Sequence, residues 1–184
     1  MTALTWTLVA AVGLFLLAVV FLYNRLVRAR NRVEEGWAQI DVQLRRRHDL
    51  IPNLVEAVRG YAAHEERVLT AVTEARARAI AASGPADTAR AEQGLEGALR
   101  SLFAVAEGYP QLRASESFLE LQRELTTTED RVAYSRQFYN SAVRDYDDRR
   151  QTFPSNLVAG AFGFGDREYY ETDDEARAAP RVAL

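Results

Sequence analysis

From Met1 to Asn24 the chain carries no charged side chain, and this stretch constrains the fold more than any other. Within it LTWTLVAAVGLFLLAVVFLY, Leu4 to Tyr23, is about as long as a helix must be to cross ~30 Å of hydrocarbon. Trp6 and Tyr23 stand at its ends, where amphipathic rings favour the headgroup zone. A cleaved signal peptide wants a basic segment before its apolar run, whereas here Arg25, Arg28, Arg30 and Arg32 follow it. The expectation is an uncleaved single-pass anchor in the cell membrane. The arginine cluster belongs on the cytoplasmic side, which puts the amino terminus outside and the remaining domain in the cytoplasm.

After the anchor the pattern is helical throughout. One row of heptad positions reads Val33, Ile40, Arg47, Leu54, Tyr61, Val68, and its companion reads Trp37, Leu44, Ile51, Val58, Glu65, Val72. Ser83-Gly84-Pro85 supplies a stop, and a second helix is predicted from about Asp87 to Tyr109 with Leu95, Leu99, Leu102, Phe103 and Ala106 on one face. From Ser115, a suitable helix cap, Phe118, Leu125, Val132, Tyr139, Tyr146 and Phe153 recur every seven positions. Their companions Leu121, Thr128, Ser135, Ala142 and Arg149 are mostly small, which lets helices interdigitate. With no strand alternation of useful length, the fold class is all-α.

Pro52 lies inside the first stripe. A proline in a helix interior costs roughly 3 kcal/mol and kinks or breaks the helix. Either one long helix bends there, or a turn near Asp49 starts a new helix with Pro52 in its first turn. An even number of passes returns the last helix to the membrane; three passes leave its end distal. Beyond Pro154, Asn156 to Gly165 is apolar and far too short to span a bilayer. It reads as a lid over the open end of the bundle, or as a contact with a membrane surface or partner. The acidic, then alanine-rich ETDDEARAAPRVAL reads as a flexible tail whose Val182-Ala183-Leu184 end suits a partner groove. The expected division is an anchor over 1–24, a helical bundle over 25–153, and an apolar segment with its tail over 154–184.

The search for chemistry is short. No cysteine is present, and a net charge of −3 leaves no electrostatic footprint for nucleic acid. His48 and His64 are the two histidines, and neither has a glutamate three residues before it, so the pattern of a bundle di-iron site is missing. No phosphate loop or nucleophile elbow occurs. The reading is a non-enzyme without cofactor, metal or small-molecule substrate. What stands out is a polar knot: Arg47 and Glu65 hold core-phase positions, and unpaired buried charges are very expensive. Arg45 to Arg47 are placed to meet the acidic side of the third helix, for example Glu129 or Asp130. Arg45, Arg46, Arg47, His48, Asp49 and Asn53 are therefore the candidate interaction residues.

Three blocks carry a family resemblance: YNRLVRARNRVEEGWAQIDVQLRRRHDLIPNLVEAVRGYAAHE (Tyr23 to Glu65), LFAVAEGYPQLRASESFLELQRELTTTEDRVAYSRQFYN (Leu102 to Asn140) and FPSNLVAGAFGF (Phe153 to Phe164). Together they closely resemble the LemA family of bacterial membrane proteins. The resemblance implies a transmembrane helix followed by an antiparallel, up-and-down four-helix bundle, favours a turn at Asp49 to Pro52, and puts Phe153 to Phe164 toward the membrane. Gly36 and Gly108 depart from it, since alanine is commoner there. The resemblance implies no enzymatic activity. It points to a scaffold or adaptor in envelope quality control, with a protein partner such as a membrane protease, or with further copies of itself. A membrane-binding protein that self-assembles on lipid is the rival reading.

Overall fold

A computed structural model describes residues 2–171; the tail expected to be flexible lies outside them from residue 172 on, including Val182 to Leu184. Six helices follow one another: α1 (Thr2–Arg59), α2 (Glu66–Ala81), α3 (Pro85–Glu107), α4 (Pro110–Arg113), α5 (Glu116–Gln151) and α6 (Ser155–Ala161). There is no strand among the described residues.

The 58 residues of α1 make a rod of about 87 Å at 1.5 Å per residue. Its amino-terminal part is long and apolar enough to cross a membrane, and none of that stretch is buried by the rest of the chain. Beyond Asn24 the rod is matched in length by the 36 residues of α5, which run back beside it. Arg32 faces Asp145 at one end of this pair and Arg46 faces Glu124 further along, which defines an antiparallel arrangement. At Gly36 the two backbones come so close that an added Cβ would lie 3.2 Å from the Tyr139 Cα. Glycine there exchanges some helix stability for a tight crossing.

The hairpin of α2 and α3 is much shorter, 16 and 23 residues, so it covers only the distal part of the long pair. Its tip is the bend at Gly84, whose φ of 80° suits glycine, followed by Pro85 in the first turn of α3, where no N–H is needed. The four passes are α1 up, α2 down, α3 up and α5 down, so α5 ends back at the anchor. Ser115 takes the cap position of α5, although its hydroxyl bonds to the Ser117 hydroxyl and not to a backbone N–H of the helix.

Two of the sequence expectations need correction. The turn at Asp49 to Pro52 does not form: α1 passes through Pro52 unbroken, as the bent-helix alternative would have it, and reverses only at residues 60–65. The proline ring faces solvent, and the carbonyl it orphans finds another donor, described below. The heptad rows also do not run along one helix to Val72. Tyr61 and Glu65 fall in the reversal, where Tyr61 is exposed and Ala62 takes the buried place. A six-residue turn happens to conserve the phase, so α2 resumes with Val72, Ala75 and Ala79 buried, although Leu69 takes the buried place of Val68.

The core divides into two. A distal cluster joins Ile51, Leu54, Val58, Leu69, Val72, Leu95, Leu99, Leu102, Phe118 and Leu125. A proximal one joins Leu26, Val33, Ile40, Leu44, Val132, Tyr139, Val143 and Tyr146 with Val158, Phe164 and Tyr170. Where the hairpin stops covering α1 and α5, α6 and the extended residues 162–171 take over. The lid expected over Asn156 to Gly165 is thus present, at the anchor end: Phe162 and Phe164 set their rings 5.0 and 5.7 Å from that of Tyr23.

Candidate functional site

Between the two apolar clusters lies one polar layer to which all four long helices contribute. Arg47 and His48 on α1 are 3% and 7% exposed, and Glu92 on α3 is 5% exposed. Arg47 directs Nη1 to Glu92 Oε2 and Nη2 to Glu129 Oε2 on α5, each at 3.3 Å. His48 Nε2 stands 2.6 Å from the other Glu92 oxygen. An ionised carboxylate only accepts, so the imidazole N–H donates. Glu92 is therefore shared by two adjacent residues of α1, and Arg47 bridges α3 to α5. Charges buried this deeply are tolerated because each meets an opposite charge or a hydrogen bond. Arg47 Nε is a buried nitrogen left without a hydrogen bond.

The fourth helix enters through Pro52. In an unbroken helix the N–H of residue 52 would bond to the carbonyl of residue 48, and proline has none. Arg76 on α2 supplies the missing donor, with Nε 2.7 Å from the His48 oxygen. Thr128, 1% exposed, closes the α5 side by turning its hydroxyl back to the Glu124 carbonyl.

The predicted site residues separate into two groups. Arg47 and His48 point inward and are consumed by the layer. Arg45, Arg46, Asp49 and Asn53 are exposed, three or four residues apart, and form a ridge on the opposite face of α1 with Val42 and Glu56. Arg46 reaches Glu124 at 2.7 Å, and Arg45 pairs with Asp41 along its own helix. Beside the ridge a cleft of about 430 Å³ opens between α1 and the end of α2, lined by Trp37, Arg45, Asp49, Ile80 and Thr88. The expected meeting with Glu129 occurs through Arg47. Glu65 lies in the reversal between α1 and α2, half-buried and outside the layer.

The segment after α6 is held like a bound peptide. Tyr146 donates to the Gly165 carbonyl at 2.8 Å and Tyr139 to the Glu168 carbonyl at 2.6 Å. The Asn140 amide donates to the Tyr170 carbonyl and accepts from the Tyr170 N–H, at 3.1 and 2.9 Å. The Tyr170 ring lies beside Trp37 and under the Arg136 guanidinium. Burial raises its phenol pKa, and the nearby Glu92 charge raises it further while Arg136 opposes. This segment thus ends against the polar layer. Burial also pushes the Tyr139 phenol up to about 12, Arg167 opposing and Glu168 assisting.

Sequence reasoning missed Glu92, Arg76 and this segment. Glu92 was detectable: Thr88, Glu92, Leu95, Leu99, Leu102 and Ala106 are the buried row of α3, so it is a charge in core phase. The only hint of Arg76 was Pro52, which demands a donor for the His48 carbonyl without saying where it lies. Residues 165–171 have no period to read. Among the described residues no group of three histidine, aspartate or glutamate side chains could hold a metal ion.

Two relatives are named magnetosome proteins MamQ 1 and MamQ 2 of Paramagnetospirillum magneticum, each 26% identical over 189 residues, covering 89% of this chain and 70% of theirs. A third, protein LemA of Metamycoplasma hominis, is 24% identical over 155 residues, covering 82% of this chain and 69% of its own. A sequence model described as the LemA family matches residues 36–184, which include the bundle, its polar layer and the segment that closes it, and the chain belongs to the LemA family.

Proposed function

We propose that the chain is a non-enzymatic scaffold, anchored by one transmembrane helix, that presents a rigid helical bundle to another protein at the membrane. The observation that carries this is the continuity of α1: one helix runs from the apolar span to the far end of the bundle, through Pro52. A rod of this kind transmits position and orientation from the bilayer without a flexible linker. The buried polar groups support the same reading, since Arg47, His48 and Glu92 are spent on one another and on Glu129.

The docking surface proposed is the ridge of Arg45, Arg46, Asp49 and Asn53 with the cleft beside it. Mixed charges around an apolar floor of Trp37 and Ile80 suit a protein surface better than a small ligand. Positive-inside bias puts Arg25, Arg28, Arg30 and Arg32, and the bundle with them, in the cytoplasm. A membrane-embedded partner such as an envelope protease fits this geometry, because the ridge is held at a set height above the bilayer. The test is in-cell cross-linking of the full-length protein, with mass spectrometry of the adducts. Arg45→Glu with Arg46→Glu should abolish a stoichiometric adduct while the bundle stays folded. An adduct indifferent to that reversal would remove the ridge from the account.

A further inference from the structure

The anchor end of the bundle bears an apolar surface that the fold leaves uncovered. Phe153, Leu157 and Phe162 are 74%, 64% and 57% exposed, and all three belong to α6 or its immediate flanks. The other large exposed apolar side chains of the bundle, Val42, Tyr61, Ile80 and Tyr134, are scattered over different elements. Such scatter is ordinary for a protein surface, whereas a cluster marks a contact.

The depth of the cluster identifies the contact. The Phe162 ring touches the Tyr23 ring, which ends the apolar span. Val19 and Leu22, inside that span, pack against the proximal core that α6 completes. Val19 lies four residues before Tyr23, about 6 Å further along the helix axis. The Phe162–Tyr23 contact, and a core shared with Val19 and Leu22, put α6 beside the last turn of the span, where α1 leaves the hydrocarbon. No aqueous partner need be invoked there, because the bilayer crossed by α1 already occupies that level.

We propose that α6, with Phe153, Leu157 and Phe162, is a foot embedded at the headgroup–acyl boundary of the leaflet from which α1 emerges. Its partner is lipid, in the manner of an interfacial helix that buries an apolar face by some 5–10 Å. Attraction to anionic lipid is not the driving force. Arg149 pairs with Asp145 at 2.9 Å, and Arg150 pairs with Asp147 at 3.3 Å and Asp166 at 2.5 Å, so the two arginines that lead into α6 along the chain are already paired. The foot adds a second attachment beside the span and fixes the tilt of the bundle. It goes beyond the adaptor reading and stands whether or not the ridge binds protein.

The absence of cysteine makes the test clean. A nitroxide would be placed on Leu157→Cys, and separately on Phe162→Cys, in full-length protein reconstituted in neutral phosphatidylcholine vesicles. Collision rates with oxygen, which concentrates in the acyl region, and with a water-soluble nickel chelate give depth. Leu16→Cys in the span and Val42→Cys on the ridge serve as membrane and aqueous references. The foot predicts an oxygen-to-nickel ratio several-fold above that of the ridge label at both positions, unchanged by 0.5 M salt or by added phosphatidylglycerol. A ratio equal to that of the ridge label overturns the proposal. So does a label shielded from both quenchers, which would mean that a second copy covers the surface. A ratio that rises only with anionic lipid and collapses in salt overturns the apolar mechanism.

Discussion

Arg76 of α2 donates from Nε to the carbonyl oxygen of His48 in α1, across 2.7 Å, and that carbonyl is the one Pro52 deprives of its helical partner. A proline inside a helix normally marks a break or kink because it removes one hydrogen bond and crowds the preceding turn. Here the missing donor comes from a neighbouring helix, so the defect in α1 becomes the point at which α2 is fastened.

This relationship is testable as a cycle. Arg76→Met should destabilise the protein by roughly 1–3 kcal/mol, the cost of a partly buried carbonyl left without a donor. In a Pro52→Ala background residue 52 recovers its N–H, and the same arginine substitution should cost less than half as much. Thermal unfolding of the full-length protein in mild detergent, followed by circular dichroism, measures both; equal costs in the two backgrounds would show that Arg76 does not compensate Pro52.

Glu92 is the common acceptor of the polar layer, so its removal takes a partner from both His48 and Arg47 and leaves Arg47 only the half-exposed Glu129. Glu92→Ala should cost about 3–5 kcal/mol, as expected for breaking a buried ion pair by deleting one member. Replacing Arg47, His48 and Glu92 together by leucine should be far milder, because the one charge left without its partner, Glu129, is half-exposed to water. The same unfolding measurement decides, and a triple variant worse than the single one would mean that the layer supplies net stability and not only register.

The segment after α6 should detach without unfolding the bundle. Asn140→Ala removes both hydrogen bonds to the Tyr170 backbone. Hydrogen exchange at residues 166–170 should then accelerate at least tenfold, while protection of Leu54, Leu102 and Leu125 in the distal core is kept. Loss of protection throughout would make the segment part of the cooperative fold.

Alkali should release the same segment. The Tyr139 phenol, raised from 10.0 to about 12 by burial, stays protonated in the docked state after a free phenol would have ionised. A raised folded-state pKa contributes stability that is complete below pH 10 and lost as pH climbs toward 12. The phenolate can no longer donate to the Glu168 carbonyl. Tyrosinate absorbance should therefore show an early phase from ordinary exposed phenols and a late one coincident with faster exchange at 166–170. Coincidence with the early phase would contradict the assignment.

Some of this was legible from residue order, and the reasons for the rest are physical. The row Phe118, Leu125, Val132, Tyr139 and Tyr146 is buried as its period required, because a helix packed along its whole length repeats its environment every seven residues. The row ends at Phe153, which lies beyond the helix and is 74% exposed. Pro52 was undecidable because the price of proline depends on a donor, Arg76, that lies 28 residues from the His48 carbonyl it serves. The reversal at residues 60–65 was invisible because it preserves the heptad phase. Of the candidate interaction residues, periodicity separated Arg47, in core phase, from exposed Arg45 and Arg46, but it could not show which carboxylates met them. The peptide-like segment at 165–170 is held by side chains of α5 that recognise backbone, and backbone recognition leaves no trace in the sequence of the segment recognised.

The outer ridge of α1, on a bundle that the membrane holds in place, is the face proposed to meet a protein. The most direct measurement is site-specific photo-cross-linking in living cells, with a photoreactive side chain at Asn53 on the ridge and at Ser101 on α3 as control. The account predicts one discrete adduct at Asn53, absent at Ser101 and lost when Arg45→Glu and Arg46→Glu are introduced. Equal labelling at both positions, or none at Asn53 in the full-length membrane-inserted protein, would contradict it.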